Sequence, residues 1–356
     1  LDAATVSALG EARGAKLRRK YATAFPAGYQ DTTPARAAFP DIEMIESLGP
    51  DRPFDLQLYR PLEAPPGVLR FKVLRLGDPL TLSASLPMLE HMGLQVLDEQ
   101  SQHIVPDGSA PVWLHDFGLQ LPGDGSEVDV DALRPLFEDA FWAVQTGEVE
   151  NDDFNRLVIA ASLPVHDIVV LRAYAKYLRQ TGFALSQAFI EQTLAAHPGV
   201  AAALVGLFKA RFDPAGNDDG QAQVQQIEAM LENVANLSED RVLRQLLALV
   251  LATLRTNFWR RDAEGRRRAF LSFKFDPAKV PDLPAPRPRF EIFVYSTRFE
   301  GVHLRGGPVA RGGLRWSDRP EDFRTEVLGL VKAQIVKNTV IVPVGSKGGF
   351  VLKRPP

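Results

Sequence analysis

The 356 residues hold 41 Lys and Arg against 44 Asp and Glu, a formal net charge of -3, so no overall basic field points to a nucleic-acid partner. Hydrophobic residues at 45% and charged residues at 24% describe a core-forming chain, long enough for two or three domains. Cys is absent, which excludes disulfide scaffolds, thiolate metal sites and thiol nucleophiles; no apolar run reaches the roughly 18 residues of a bilayer span, so a cytoplasmic protein without a membrane partner is expected.

The chain opens at Leu1 without a methionine and stops at Pro356, soon after Lys347, so a piece of a larger polypeptide is expected. Residues 1–65 read as a helical connector with little core of its own. Val6, Leu9, Leu17 and Tyr21 have loose helical spacing, Pro26, Pro34 and Pro40 interrupt that pattern, and another short helix is expected over 41–47.

Residues 66–122 form a compact α/β unit. A strand over 68–76 alternates Leu69, Phe71 and Val73 with Arg70 and Lys72, as a half-buried strand does. Asp78 and Pro79 open a helix with Leu82, Leu86, Leu89 and Met92 on one stripe, and Gly93 ends it. Strands follow over 94–100 and 112–121, with Asp107 and Gly108 in the turn between them. The order β-α-β-β is ferredoxin-like, and the arrangement resembles an ACT domain, with Gly77, Asp78, Pro79 and Gly93 at the expected turns. Such a unit binds an amino-acid effector or serves packing and oligomerisation; the arrangement alone favours packing.

A helical domain is expected over 128–275. Leu133, Leu136, Phe137, Phe141 and Val144 make one stripe, and Ile168, Val169, Leu171, Tyr174 and Leu178 another. Helices follow over 185–197, 200–212 and 221–236, and a last one starts near Ser238 and runs through Leu254. Arg260, Arg261, Arg266, Arg267 and Arg268 form a basic cluster, but Asp262 and Glu264 lie among them, so a solvated helix end is expected and not a nucleic-acid site. Residues 276–288 hold Pro277, Pro281, Pro284, Pro286 and Pro288 and read as a linker. His103, His115 and His166 lack ligand spacing, so no metal is expected, and the Asp152/Asp153 and Asp218/Asp219 pairs look like helix starts.

The chemistry is concentrated in residues 289–356. Strands are expected over 290–295 and 301–305, followed by an element over 310–316. Ser317 or Asp318 then caps a helix with Val327, Leu330, Val331 and Ile335 on its stripe, and a buried strand over 339–342 leads into a loop over 343–349. Two glycine pairs, Gly312–Gly313 and Gly348–Gly349, would let a ligand reach the backbone. Arg311 or Arg315, with Lys337 and Lys347, would surround it with positive charge. The ligand implied is small and anionic, most simply a carboxylate. A lysine crowded by other cations gives up its proton more readily and can serve as a general acid or base. Walker A spacing fails because Lys347 precedes its glycine pair, and no Gly-x-Gly-x-x-Gly turn occurs anywhere in the chain.

The run from Arg311 to Ser317, the stretch from Glu326 to Asn338 and the segment from Pro343 to Phe350 together resemble the substrate domain of glutamate dehydrogenases. More narrowly they resemble the large bacterial NAD-specific enzymes, which carry ACT-like and helical modules before the catalytic part. The fold class implied is α+β and multidomain: a ferredoxin-like (ACT-like) module, an all-α helical region, and over 289–356 the first part of an α/β substrate domain. The resemblance implies Lys347 as the catalytic lysine and Lys337 as the lysine that holds the substrate α-carboxylate, with Lys332 as a rival for that role. Gly313 and either Arg311 or Arg315 would meet the side-chain carboxylate, Arg311 standing where the small enzymes have lysine. It also implies L-glutamate and 2-oxoglutarate as ligands, NAD held by a domain absent from this chain, an inactive fragment, and a homo-oligomeric parent. An amino-acid effector on the ACT-like unit is the alternative reading.

Overall fold

The structure, a computed structural model, describes residues 11–123, 125, 128–216, 218–337 and 344–353, with side chains of 11 and 335–337 outside the description. The chain divides into two compact units, Leu1–Phe141 and Trp142–Pro356.

Among the described residues the first unit begins with three short helices, α1 (Glu11–Lys20), α2 (Ala27–Thr32) and α3 (Ala38–Ser47). An antiparallel sheet follows: β1 (Phe54–Tyr59), β2 (Val68–Leu76), helix α4 (Leu82–His91), β3 (Gln95–Ile104) and β4 (Val112–Gln120), in spatial order β1-β2-β4-β3. The expected β-α-β-β order is present, and Gly93, at φ +87°, ends α4 where a side chain would be strained. On one face Phe71 makes edge contacts with Phe137 at 5.0 Å and Phe141 at 4.9 Å, both on α5 (Val130–Gln145).

The other sheet face overturns the expectation that residues 1–65 are a connector. Leu17, Tyr21, Tyr29, Ile42 and Ile45 are buried in one cluster with Leu74, Ile104, Val112 and Leu114. Each short helix contributes only a few apolar side chains, so none shows a full stripe, yet together they cover the sheet. Fully buried Asp41 is satisfied by Lys72 Nζ (2.6 and 2.9 Å) and by the Tyr29 hydroxyl (2.6 Å). The added strand β1, also from this region, pairs with β2.

In the second unit a 3₁₀ turn (Asp153–Arg156) precedes α6 (Leu157–Ala160), α7 (Val165–Gln180), α8 (Gln187–Ala196), α9 (Pro198–Phe212), α10 (Gln221–Leu231) and α11 (Leu237–Ala252). The cap of α11 is Asn236 and not Ser238: its side-chain oxygen accepts from the Ser238 and Glu239 N–H groups at 2.9 and 3.4 Å. The helix ends at Ala252, and Thr253 enters β5 (Thr253–Thr256). Then come β6 (Leu271–Phe275), β7 (Phe290–Tyr295), β8 (Phe299–Arg305), β9 (Ala310–Arg311), β10 (Leu314–Trp316), α12 (Phe323–Lys337) and β11 (Val344–Leu352). The sheet runs β10-β11-β8-β7-β6-β5, with β9 also on β11.

Two expected boundaries therefore disappear. β5 and β6 fall within the span expected to be all-helical, and the proline-rich stretch 276–288, expected to separate domains, does not. Instead it joins two hydrogen-bonded neighbours, β6 and β7, and buries Val280 and Leu283. Proline lacks the N–H that a ladder needs, so the segment forms a connection, but its apolar side chains still join the core. Helices and sheet share that core: Tyr174 of α7 stacks on Phe273 and Tyr177 on Phe275, each at 4.3 Å. Such stacks contribute about 0.5–1.5 kcal/mol beyond their buried area. Among the described residues no single helix is long and apolar enough to cross a membrane.

Candidate active site

The site is built on β8, β11 and the two short strands β9 and β10. β11 runs antiparallel to β8, with Lys347 opposite Leu304, and parallel to β9 and β10. Arg311 lies beside Gly345, and Arg315 beside Gly349. The two pairings share one offset, so Gly313 falls beside Lys347, and the Gly348 N–H donates to the Gly313 carbonyl at 3.1 Å. Side chains alternate along a strand, so Arg311, Gly313, Arg315 and Lys347 belong to one face of the sheet.

Helix α12 crosses that face. A methyl group on Gly345 would meet Gln334, and one on Gly349 would strike Val327, both on the helix. A methyl on Gly312 would strike the Ser346 carbonyl, and one on Gly348 would strike Leu314. These glycines serve close packing of strand on strand and helix on sheet. The loop expected over 343–349 is strand β11 from Val344 onward, because glycine leaves the room that α12 and β10 require. Of the two glycines at 312 and 313, Gly313 faces open space.

The start of α12 is held from two sides. Ser317, expected as its cap, lies before the helix and donates to Glu326 at 2.6 Å, while Arg315 pairs with the other Glu326 oxygen at 3.0 Å. Arg324 reaches Glu291 of β7, and its N–H donates to the Gln180 side chain of α7 at 3.2 Å. Sequence reasoning singles out neither Glu326 nor the Arg324–Glu291 pair. The alternation in β7 hides the second: its buried side chains are Glu291, Phe293 and Tyr295, so a carboxylate occupies an inward position.

Of the expected site residues, Arg311 and Arg315 are exposed and Lys347 is half-buried. The Lys347 side chain makes no hydrogen bond or ion pair among the described residues. Lys332 is exposed on α12. Lys337 ends that helix with its side chain outside the description, and the strand expected over 339–342 lies outside the described residues. Among those residues no group of acidic and imidazole side chains could hold a metal. His115, buried, accepts from the Leu80 N–H at 3.0 Å and lies 2.8 Å from Glu99.

Among the described residues no Gly-x-Gly-x-x-Gly turn links a strand to a helix, the turn that a dinucleotide pyrophosphate site uses.

Residues 226–356 match the family described as bacterial NAD-glutamate dehydrogenase, catalytic domain. Residues 149–214 match glutamate dehydrogenase helical motif 3, residues 53–133 its ACT3 domain and residues 4–48 its helical motif 2. The chain belongs to the large bacterial NAD-specific glutamate dehydrogenase family. It is 47% identical over 358 residues to the NAD-specific glutamate dehydrogenase of Pseudomonas aeruginosa, covering 99% of this chain and 22% of that protein. The enzyme of the same name from Halomonas elongata is 47% identical over 356 residues, with the same coverage. That of Mycobacterium tuberculosis is 46% identical over 346 residues, 94% of this chain and 21% of the relative. The chain thus spans about a fifth of the length of these relatives. The catalytic-domain match begins at 226, in α10, and so takes in α11 together with β5 and β6, two strands of the second sheet.

Proposed function

We propose that this chain supplies the substrate-binding part of an NAD-dependent glutamate dehydrogenase whose complete polypeptide converts L-glutamate to 2-oxoglutarate and ammonia. One juxtaposition carries the reading: Arg311, Gly313, Arg315 and Lys347 share a sheet face crossed by α12, the helix of Lys332 and Lys337. A dicarboxylate amino acid needs a cation or N–H donors at each carboxylate and an acid–base group beside its α-carbon. Lys347, half-buried and unpaired among the described residues, takes the acid–base role and promotes addition of water to the imine carbon. Lys337 holds the α-carboxylate, with Lys332 as the competing assignment. Gly313, beside Lys347 and open in front, admits the side-chain carboxylate. Arg315 is already neutralised by Glu326, so Arg311 is the cation assigned to that carboxylate.

NAD is assigned to a part of the polypeptide outside these residues. The 356-residue chain alone is therefore expected to form no NADH from glutamate, whereas the complete enzyme does so. Glutamate-dependent NADH formation by the purified chain would contradict this division of labour.

A second reading concerns the ACT unit, where β3 is a sheet edge with mostly exposed side chains, including Leu97 at 49%. An amino-acid effector or a second subunit would be met there. Calorimetric titration of the chain with a panel of amino acids tests the effector role, and no heat from any of them would remove it.

A further inference from the structure

The register that sets Lys347 under α12 sets a different group of side chains on the opposite sheet face. Arg255 of β5 pairs with Lys274 of β6, Lys274 with Ile292 of β7, and Ile292 with His303 of β8; two residues from Ile292, Phe290 pairs with Arg305. The Lys274 ammonium lies 4.1 Å from the centre of the Phe290 ring, and the Arg289 guanidinium 5.6 Å from it. Two cations thus lie over the Phe290 ring, and the register sets Arg305 beside Phe290 and Arg255 beside Lys274. Arg255 and Arg289 are exposed, Lys274 and Arg305 half-buried.

None of the four has an ion-pair partner among the described residues. Arg305 donates through Nη2 to the Pro308 carbonyl at 2.7 Å, but its Nε is buried with no acceptor. The like charges act on one another. Burial, Arg255 and Arg305 hold the Lys274 ammonium below its ordinary value, and burial with Arg305 does the same to His303. Repulsion of this kind, with a leftover guanidinium donor, is relieved by an acceptor carrying more than one negative charge.

We propose that this face binds a multivalent oxyanion between Arg255, Lys274, Arg289 and Arg305. Guanidinium forks bind phosphate and carboxylate oxygens alike, so the shared chemistry is a compact polyanion, set on the side of the sheet away from Lys347.

Isothermal titration of the 356-residue chain, at constant ionic strength, with pyrophosphate in one arm and citrate in the other, tests the site. Saturable binding is expected in at least one arm, and the arm that responds assigns the phosphate or the polycarboxylate class. Arg255→Gln/Arg289→Gln changes only exposed side chains and should weaken binding about tenfold or more. Lys274→Met keeps the stem against Phe290 and should do likewise, with an unchanged circular-dichroism spectrum. No saturable binding in either arm, or equal binding by both variants, would overturn the proposal.

Discussion

Arg324 of α12 donates to Glu291 of β7 through both Nε (2.6 Å) and Nη2 (2.8 Å), with both side chains fully buried. The pair fastens the helix of Lys332 and Lys337 to the sheet beneath it. A buried pair contributes little net stability, but removing one partner strands the other charge at a cost of about 3–5 kcal/mol. Arg324→Met should therefore destabilise the chain by that amount in urea titration. Arg324→Met/Glu291→Leu should regain most of it. A single-variant loss below about 1 kcal/mol would show that the charge is not stranded.

The glycine pair at 312 and 313 should respond unequally. A methyl at Gly312 strikes the Ser346 carbonyl, while nothing lies near one at Gly313. Gly312→Ala should cost about 1–3 kcal/mol by forcing β11 aside, and Gly313→Ala well under that. In the complete enzyme Gly313→Ala should instead raise the glutamate KM, since the open space there is assigned to substrate. Equal melting temperatures for the two variants would contradict the packing account.

Glu150 gives a pH test. Lys353 Nζ lies 2.8 Å from one carboxylate oxygen and Lys176 Nζ 3.6 Å from the other. Burial pushes this carboxyl up, but the two ammonium groups outweigh it and hold it below its ordinary 4.5. A carboxyl lowered on folding adds stability above its unfolded value, and that share is lost as pH falls through the folded value. Unfolding free energies measured from pH 7 down to pH 3 should show Glu150→Gln less stable than the parent at pH 7, with the gap closing below about pH 4.5. A gap independent of pH would remove the electrostatic explanation.

Much of the first unit is legible in the sequence because its strands alternate cleanly: Leu69, Phe71 and Val73 announce β2, and Gly93 stops α4. β1 and the packing of α1 to α3 are not, because Tyr29, Ile42 and Ile45 come from helices too short and too broken to show a period. In the second unit, prolines at 277–288 look like a boundary, although a proline-rich turn between paired strands has the same composition. Glycines carry two meanings. Gly345, Gly348 and Gly349 look like a ligand loop and are packing positions in β11, a distinction that needs the neighbouring helix. The candidate site residues can be named from sequence, but their common face depends on the register of β9, β10 and β11.

Arg311 and Arg315 should separate in the complete enzyme. Arg315 is held by Glu326 and Arg311 is exposed with no ion pair among the described residues. Losing a charged hydrogen bond to substrate costs about 1.5–3 kcal/mol, so Arg311→Ala should raise the glutamate KM about 10- to 100-fold. Arg315→Ala should change it less. The reverse ranking would move the side-chain carboxylate to Arg315.

The acid–base role of Lys347 on glutamate is tested by steady-state turnover of the Lys347→Ala complete enzyme, with NAD binding measured alongside by fluorescence titration. Removal of a positioned acid–base group should lower kcat by about 10²- to 10⁴-fold while NAD affinity stays at the parent value. Turnover close to that of the parent would contradict the assignment.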